Sequence, residues 1–170
     1  MLGGGPFNLA AGQWTDDTSM ALCLAHSLVE RSGFDALDQM QRYLRWYRQG
    51  ELSSTGQCFD IGNTVARALQ AFEASGEPFS GPTDAHSAGN GGLMRLAPVA
   101  MFWALRAQEA AHFAAESTRT THGAEEALDA SRLFASQLRM ALGGEDKRIV
   151  LMGHRARVSA PAIVAIANAD

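Results

Sequence analysis

Long apolar runs, strand signals, cysteine pairs and any excess of basic charge are all missing from this chain. No window has the uninterrupted length of about 20 apolar residues that a membrane-spanning helix needs, so no membrane partner is expected. The two cysteines, Cys23 and Cys58, make neither a disulfide framework nor a metal-like spacing, which points to a reduced, cytoplasmic setting. Nothing nearby in sequence identifies a base that would make either one a nucleophile. A net charge of -4 and a pI near 5.7 argue against general affinity for nucleic acid or anionic lipid. Arg42, Arg45 and Arg48 read as the solvated face of a helix. The start, "MLGGGPFNL", lacks a basic region and a long apolar stretch, so no signal peptide is expected. β-branched clusters are few, period-two alternation does not persist, and neither a fixed-period repeat nor a dividing linker is present.

What is there is helical periodicity over 170 residues with 46% apolar content, enough for one domain over 1–170 that buries roughly two-thirds of its unfolded surface. Ala21, Leu24, Ala25 and Leu28 recur at helical spacing, with Gly33 where a C-cap would fall. Leu37, Met40, Leu44 and Tyr47 mark a second helix, stopped at Gly50. Ile61, Val65, Ala68, Leu69 and Phe72 mark a third, closed by Ser75 to Pro78. A polar segment, Phe79 to Gly92, breaks the pattern. A fourth helix is predicted over about Leu93 to Glu116, with Pro98 near its start or at a kink. A last long helix runs from about Gly123 to Leu142, with Ala127, Ala130, Phe134, Leu138 and Ala141 inward and Gly143–Gly144 as its stop. The fold class is all-α.

Three polar stretches interrupt this bundle. In "GQWTDDTSM", Thr15 is placed to cap a helix, putting Asp16 and Asp17 in its first turn, where the helix dipole favours each carboxylate by roughly 0.3–1 kcal/mol. Capping explains one aspartate well. A hydroxyl, two carboxylates and a second hydroxyl are also hard oxygen donors of the kind Mg²⁺ prefers. "SAGNGGLMR" (Ser87 to Arg95) is a glycine-rich lead into a helix. It reads as a turn needing positive φ or as an anion-binding concavity, and Asn90 favours a ligand contact. Neither nucleotide-loop pattern fits its context. "CFDIGNTV" opens the third helix, with Asp60 as a cap and Asn63 in the first turn. "STRTTHG" places His122 at an interhelical junction, where a histidine is commonly structural.

In order, "GQWTDDTSMAL", "FDIGNTV", "SAGNGGLMRLAPVA" and "STRTTHG" with "ALDASRLFA" resemble the successive motifs of the ADP-ribosylglycohydrolase family over nearly the whole chain. The resemblance implies an orthogonal all-α bundle with a cleft at one end. It implies that Thr15, Asp16 and Asp17 bind a dinuclear metal centre, two Mg²⁺ or Mn²⁺ in their place. The loop Gly89, Asn90, Gly91, Gly92, Leu93 and Met94 would wrap the phosphates and ribose of ADP-ribose, with His122 on the nucleotide side. Asp60 would face the reacting end with Asn63, and Asp17 and Asp60 are the candidate catalytic residues. The implied reaction is hydrolysis of the glycosidic bond between ADP-ribose and a side chain of a modified protein, or an ADP-ribose-containing small molecule. Two further readings stay open: a catalytically silent ADP-ribose-binding module, and a helical interaction protein.

The chain departs from the family in two places. An N-terminal helix with a Gly-Asp motif or a glutamate near the metals has no counterpart before "GGGPF". No Asp-x-Asp-Thr motif follows Gly144, where Asp146 stands alone and Asp170 is last. A shortened form, incomplete at both ends, is therefore expected, binding metal weakly and turning over slowly or not at all. The stretch "PAIVAIANAD" reads as a helix with an uncovered apolar face, through which the chain would self-associate.

Overall fold

The computed structural model describes residues 2–152 and 157–168, and within them the periodicity resolves into eight α-helices with no extended strand. Gly4 and Leu9 form one isolated antiparallel bridge. The helices are α1 (Asp16–Arg31), α2 (Ala36–Gln49), α3 (Asn63–Ser75), α4 (Ala97–Phe102), α5 (Ala107–Arg119), α6 (Glu125–Leu142), α7 (Lys147–Met152) and α8 (Pro161–Ala167). Two short 3-10 turns, Ala85–Ser87 and Asn90–Gly92, lie in the polar segment before α4.

One core runs through α1 to α5: Met20, Leu24, Met40, Tyr43, Trp46, Leu69, Leu96 and Val99 are all closed to solvent. Each large apolar side chain so buried contributes roughly 1.5–3 kcal/mol. The helix stops follow backbone chemistry. Ser32 and Gly50 take left-handed conformations and return their amides to carbonyls of the last turn, as helix C-caps do. Gly50 has no freedom to be anything else: a Cβ there would stand 2.1 Å from the Gly56 carbonyl oxygen.

The single helix expected over Leu93 to Glu116 is instead two. Pro98 lies in the first turn of α4, and the chain reverses over Trp103–Arg106 before α5 begins. No proline or glycine marks this break. Tertiary packing makes it: the Trp103 ring turns back onto Phe113 of α5, stacked at 4.5 Å, while Leu105 stands out in solvent at the tip. The inner face of α6 also differs from the expected stripe. Ala127, Leu128, Ser131 and Ala135 are buried, whereas Phe134 and Ala141 are exposed. Small residues win that face because α5 packs closely against it, and the Thr118 and Ser131 hydroxyls meet there at 2.7 Å.

Arg42 is not solvated. It is buried between α1 and α2, where its guanidinium donates to Asp38 at 2.7 Å and to Glu30 at 2.8 Å. Beyond α6 the chain returns at Ser159, whose amide donates to the buried Asp129 carboxylate at 2.6 Å, as does that of Ala160 at 2.7 Å. These bonds seat α8 so that Ile163 and Ala167 pack on Leu133, leaving Ile166 exposed. The last part of the expected C-terminal helix, Ala169 and Asp170, lies outside the described residues.

Candidate functional site

The first polar stretch stands where α1 begins. Thr15 is the N-cap by backbone, with its carbonyl accepting from the Ser19 amide, but its side chain makes no capping bond. That hydroxyl is therefore left for another partner. Asp16 and Asp17 follow as the first two helical residues, Asp16 buried and Asp17 exposed. The segment just before them is stitched to the loop between α2 and α3. Gln13 donates to the Ser54 carbonyl at 3.2 Å, the Trp14 indole to the Leu52 carbonyl at 3.3 Å, and the Ser54 hydroxyl to the Trp14 carbonyl at 2.6 Å.

Farther along the chain from that loop comes Asp60. It does not cap α3; Gly62 holds that position and Asn63 is the first helical residue. Asp60 instead adopts φ 59°, a left-handed conformation that costs a non-glycine residue on the order of 1 kcal/mol. The residue spends that energy facing the other two acids. Burial first, then the charges of Asp17 and Asp60, push the Asp16 carboxyl from an ordinary 3.8 to about 6. Burial, then Asp60, raises Asp17 as well. Among the described residues no basic side chain pairs with any of the three.

The glycine loop closes the opposite wall. None of Gly89, Gly91 and Gly92 takes a positive φ, so a strained turn is not why they are glycines. Close approach is. A Cβ on Gly91 would lie 2.5 Å from the His122 ring, and one on Gly92 would lie 2.4 Å from the Thr118 side chain. The loop thus lies flat on the α5–α6 junction. His122 is buried beneath it, its Nδ1 2.9 Å from the Thr121 hydroxyl. Burial, then the nearby Arg95 charge, lowers its pKa from 6.5 to about 4, so the imidazole is neutral at physiological pH.

Between these walls is a cavity of about 300 Å³, into which Asp16, Asp17, Asp60, Asn63, Gly89, Asn90, Gly91, Met94 and His122 all face. Gly62, Thr64 and Val65 complete it. These three escaped sequence reading, although "GNTV" placed them beside Asn63. Three expected residues stand outside the lining. Thr15 sits one residue before Asp16, Gly92 is turned to Thr118, and Leu93 follows it half-buried.

The oxygen donors of Thr15, Asp16, Asp17 and Asp60 suit a hard divalent cation in kind. In number they fall short: among the described residues no group of three or more His, Cys, Asp or Glu side chains is drawn within reach of one ion. A cation here would take part of its shell from other oxygens. Among the described residues no helix is long and apolar enough to cross a membrane.

Known proteins resemble the chain in sequence, and a solved structure resembles it in shape. The chain is 46% identical over 151 residues to an ADP-ribosylarginine hydrolase, Tri1, of Pseudomonas putida, a match covering 89% of the chain and 41% of that protein. It is 34% identical over 101 residues to the ADP-ribosyl-[dinitrogen reductase] glycohydrolase of Rhodospirillum rubrum, covering 59% of the chain and 32% of that protein. A solved structure of an ADP-ribosylglycohydrolase-related protein complex superposes with a TM-score of 0.81 at 44% identity, covering 97% of the chain and 53% of that structure. The chain therefore spans about half the length of these relatives or less. A family model described as ADP-ribosylglycohydrolase matches residues 1–169, and with the fold and the order of motifs in agreement, the chain belongs to the ADP-ribosylglycohydrolase family.

Proposed function

We propose that this chain carries the carboxylate face and the ADP-ribose-binding loop of a hydrolase that removes ADP-ribose from a protein side chain, with arginine as the acceptor. The observation that carries this reading is the meeting of Asp16, Asp17 and Asp60 with the glycine loop and His122 around one cavity. The arginine linkage follows the relative that is 46% identical, an ADP-ribosylarginine hydrolase.

The chemistry follows from the two walls. Neutral His122, Asn90 and the loop bind the diphosphate and sugar, leaving the anomeric carbon toward the acids. Breaking its bond to nitrogen spreads positive charge over the carbon and the ring oxygen, and facing carboxylates stabilise that charge. Water adds hydroxide to the carbon, and its proton goes to the departing guanidine. Asp60 and Asp17 are the groups placed to take and return that proton. Thr15, Asp16 and Asp17 would hold Mg²⁺, or Mn²⁺, which when bound supplies positive charge that relieves the carboxylate repulsion and orients the ribose hydroxyls.

Thermal shift with ADP-ribose, with and without Mg²⁺, tests the reading. A stabilisation by ADP-ribose that Mg²⁺ enlarges is expected, and Asp16→Asn with Asp17→Asn should remove only the part that depends on Mg²⁺. The incomplete donor set favours a second reading, a binding module without turnover, which predicts a shift indifferent to Mg²⁺. Absence of any shift would leave only a helical interaction protein.

A further inference from the structure

Arg95 presents a problem that the proposed function leaves unsolved. It is closed to solvent, yet among the described residues it pairs with no carboxylate. An uncompensated buried charge is among the costliest features a fold can carry. What surrounds it is neutral. One nitrogen, Nη2, donates to the Thr121 hydroxyl at 2.7 Å and the Ser117 carbonyl at 3.1 Å, and reaches the Thr120 hydroxyl at 3.4 Å. The guanidinium lies 4.7 Å from the Tyr43 ring centroid. Among the described residues its Nε and Nη1 have no hydrogen-bond partner. A leucine or methionine would pack this site with less penalty, so the charge needs another reason.

The bond to Thr121 supplies one. A guanidinium only donates, so the Thr121 oxygen accepts from Arg95. Its own hydrogen is then free to point at the other neighbour, Nδ1 of His122, 2.9 Å away. With Nδ1 accepting, the ring proton of the neutral imidazole sits on Nε2. The Nε2–Cε1 edge is the one lying against Gly89 and Gly91, where built Cβ atoms would come within 3.2 and 2.5 Å of it. We infer that Arg95, acting through Thr121, is a positioning residue that fixes His122 in its Nε2–H form and presents that donor to an anionic ligand, a diphosphate, held at the glycine loop. The uncompensated charge does two further things. It opposes a second proton on His122, and it adds an attractive field for the anion from behind the loop. The inference rests on the proposed ADP-ribose reading for the ligand, and on the fold alone for the tautomer.

Imidazole ¹⁵N chemical shifts of His122, read without ligand, test the tautomer. The wild-type chain should show a neutral ring protonated at Nε2. Thr121→Val, which keeps the shape and removes the hydroxyl, should give a mixture of the two neutral forms, and Thr121→Ser should restore the single one. Binding of ADP-ribose should weaken in Thr121→Val by the factor by which the Nε2–H fraction falls, about twofold for an even mixture, and recover in Thr121→Ser. Arg95→Lys, which keeps the charge but not the fork, should lie between the two. A Thr121→Val chain that keeps a pure Nε2–H ring would overturn the inference, whatever it binds. A wild-type chain with the expected tautomer and the expected response to Thr121→Val, but no affinity for ADP-ribose, would uphold the relay and reject the ligand.

Discussion

At the scale of single residues, Asp16 is held in a state that disfavours its charge. Its carboxyl titrates near 6 where an unfolded aspartate titrates near 3.8. The folded form therefore binds the proton more tightly, and stability is lost as pH rises from about 4 to about 6, with the full penalty of about 3 kcal/mol present above that. In chelator at pH 7.5, Asp16→Asn should raise the melting temperature by several degrees, and the gain should shrink toward pH 4. Excess Mg²⁺ should stabilise the wild type and not the variant. His122 acts in the opposite direction. Its pKa is lowered to about 4, so its contribution is complete above pH 6.5 and declines as pH falls toward 4. The comparison of variant with parent at each pH isolates Asp16. Which residues gather at this cavity was legible only through the order of the motifs, since the paired acids alone read as helix-start residues and the glycine loop alone as a turn. The reason for the glycines was not: Gly91 and Gly92 answer to His122 and Thr118, more than 25 residues away in sequence, rather than to their own dihedrals.

At the scale of elements, the loop and the α5–α6 pair behave as one packed unit. Gly92→Ala would drive a methyl into Thr118, whose hydroxyl is already engaged by Ser131. We expect a loss of roughly 1–3 kcal/mol in chemical denaturation, with weakened ADP-ribose binding as the loop lifts. Asp129 is the corresponding anchor for α8. Asp129→Ala removes the acceptor of two backbone amides, so hydrogen exchange at Ser159 and Ala160 should accelerate while exchange in α1 to α3 stays unchanged. Helices and their stops were readable where apolar spacing and glycine agreed, as at α2 and Gly50. The division between α4 and α5 was not, because an aromatic stack makes it and no breaker residue does. On α6 the expected stripe kept Ala127 but put Phe134 and Ala141 inward, whereas the buried face turns to Leu128, Ser131, Leu133 and Ala135, with Ser131 meeting Thr118 of α5.

For the molecule as a whole, apolar side chains remain exposed at several points, and two of these bear on association. One is the outer side of α8, around Ile166; the other brings together Val29, Met101 and Phe102 along α1 and α4. The first is the face expected to drive self-association. Sedimentation velocity over a range of concentrations should reveal a dimer that Ile166→Lys dissolves. If Met101→Lys dissolves it and Ile166→Lys does not, the α1–α4 face is responsible.

The stitching of Gln13 and Trp14 to the loop that leads to Asp60 has a bearing on how this protein meets its ligand. The two sources of negative charge are not free to swing apart in search of relief, because the backbone bracing them is shared. Their mutual discomfort is thus incurred once, when the polypeptide folds. Under the proposed function, a cation arriving there would owe nothing further for bringing the acids together, and only the loss of its own water would offset the repulsion it relieves.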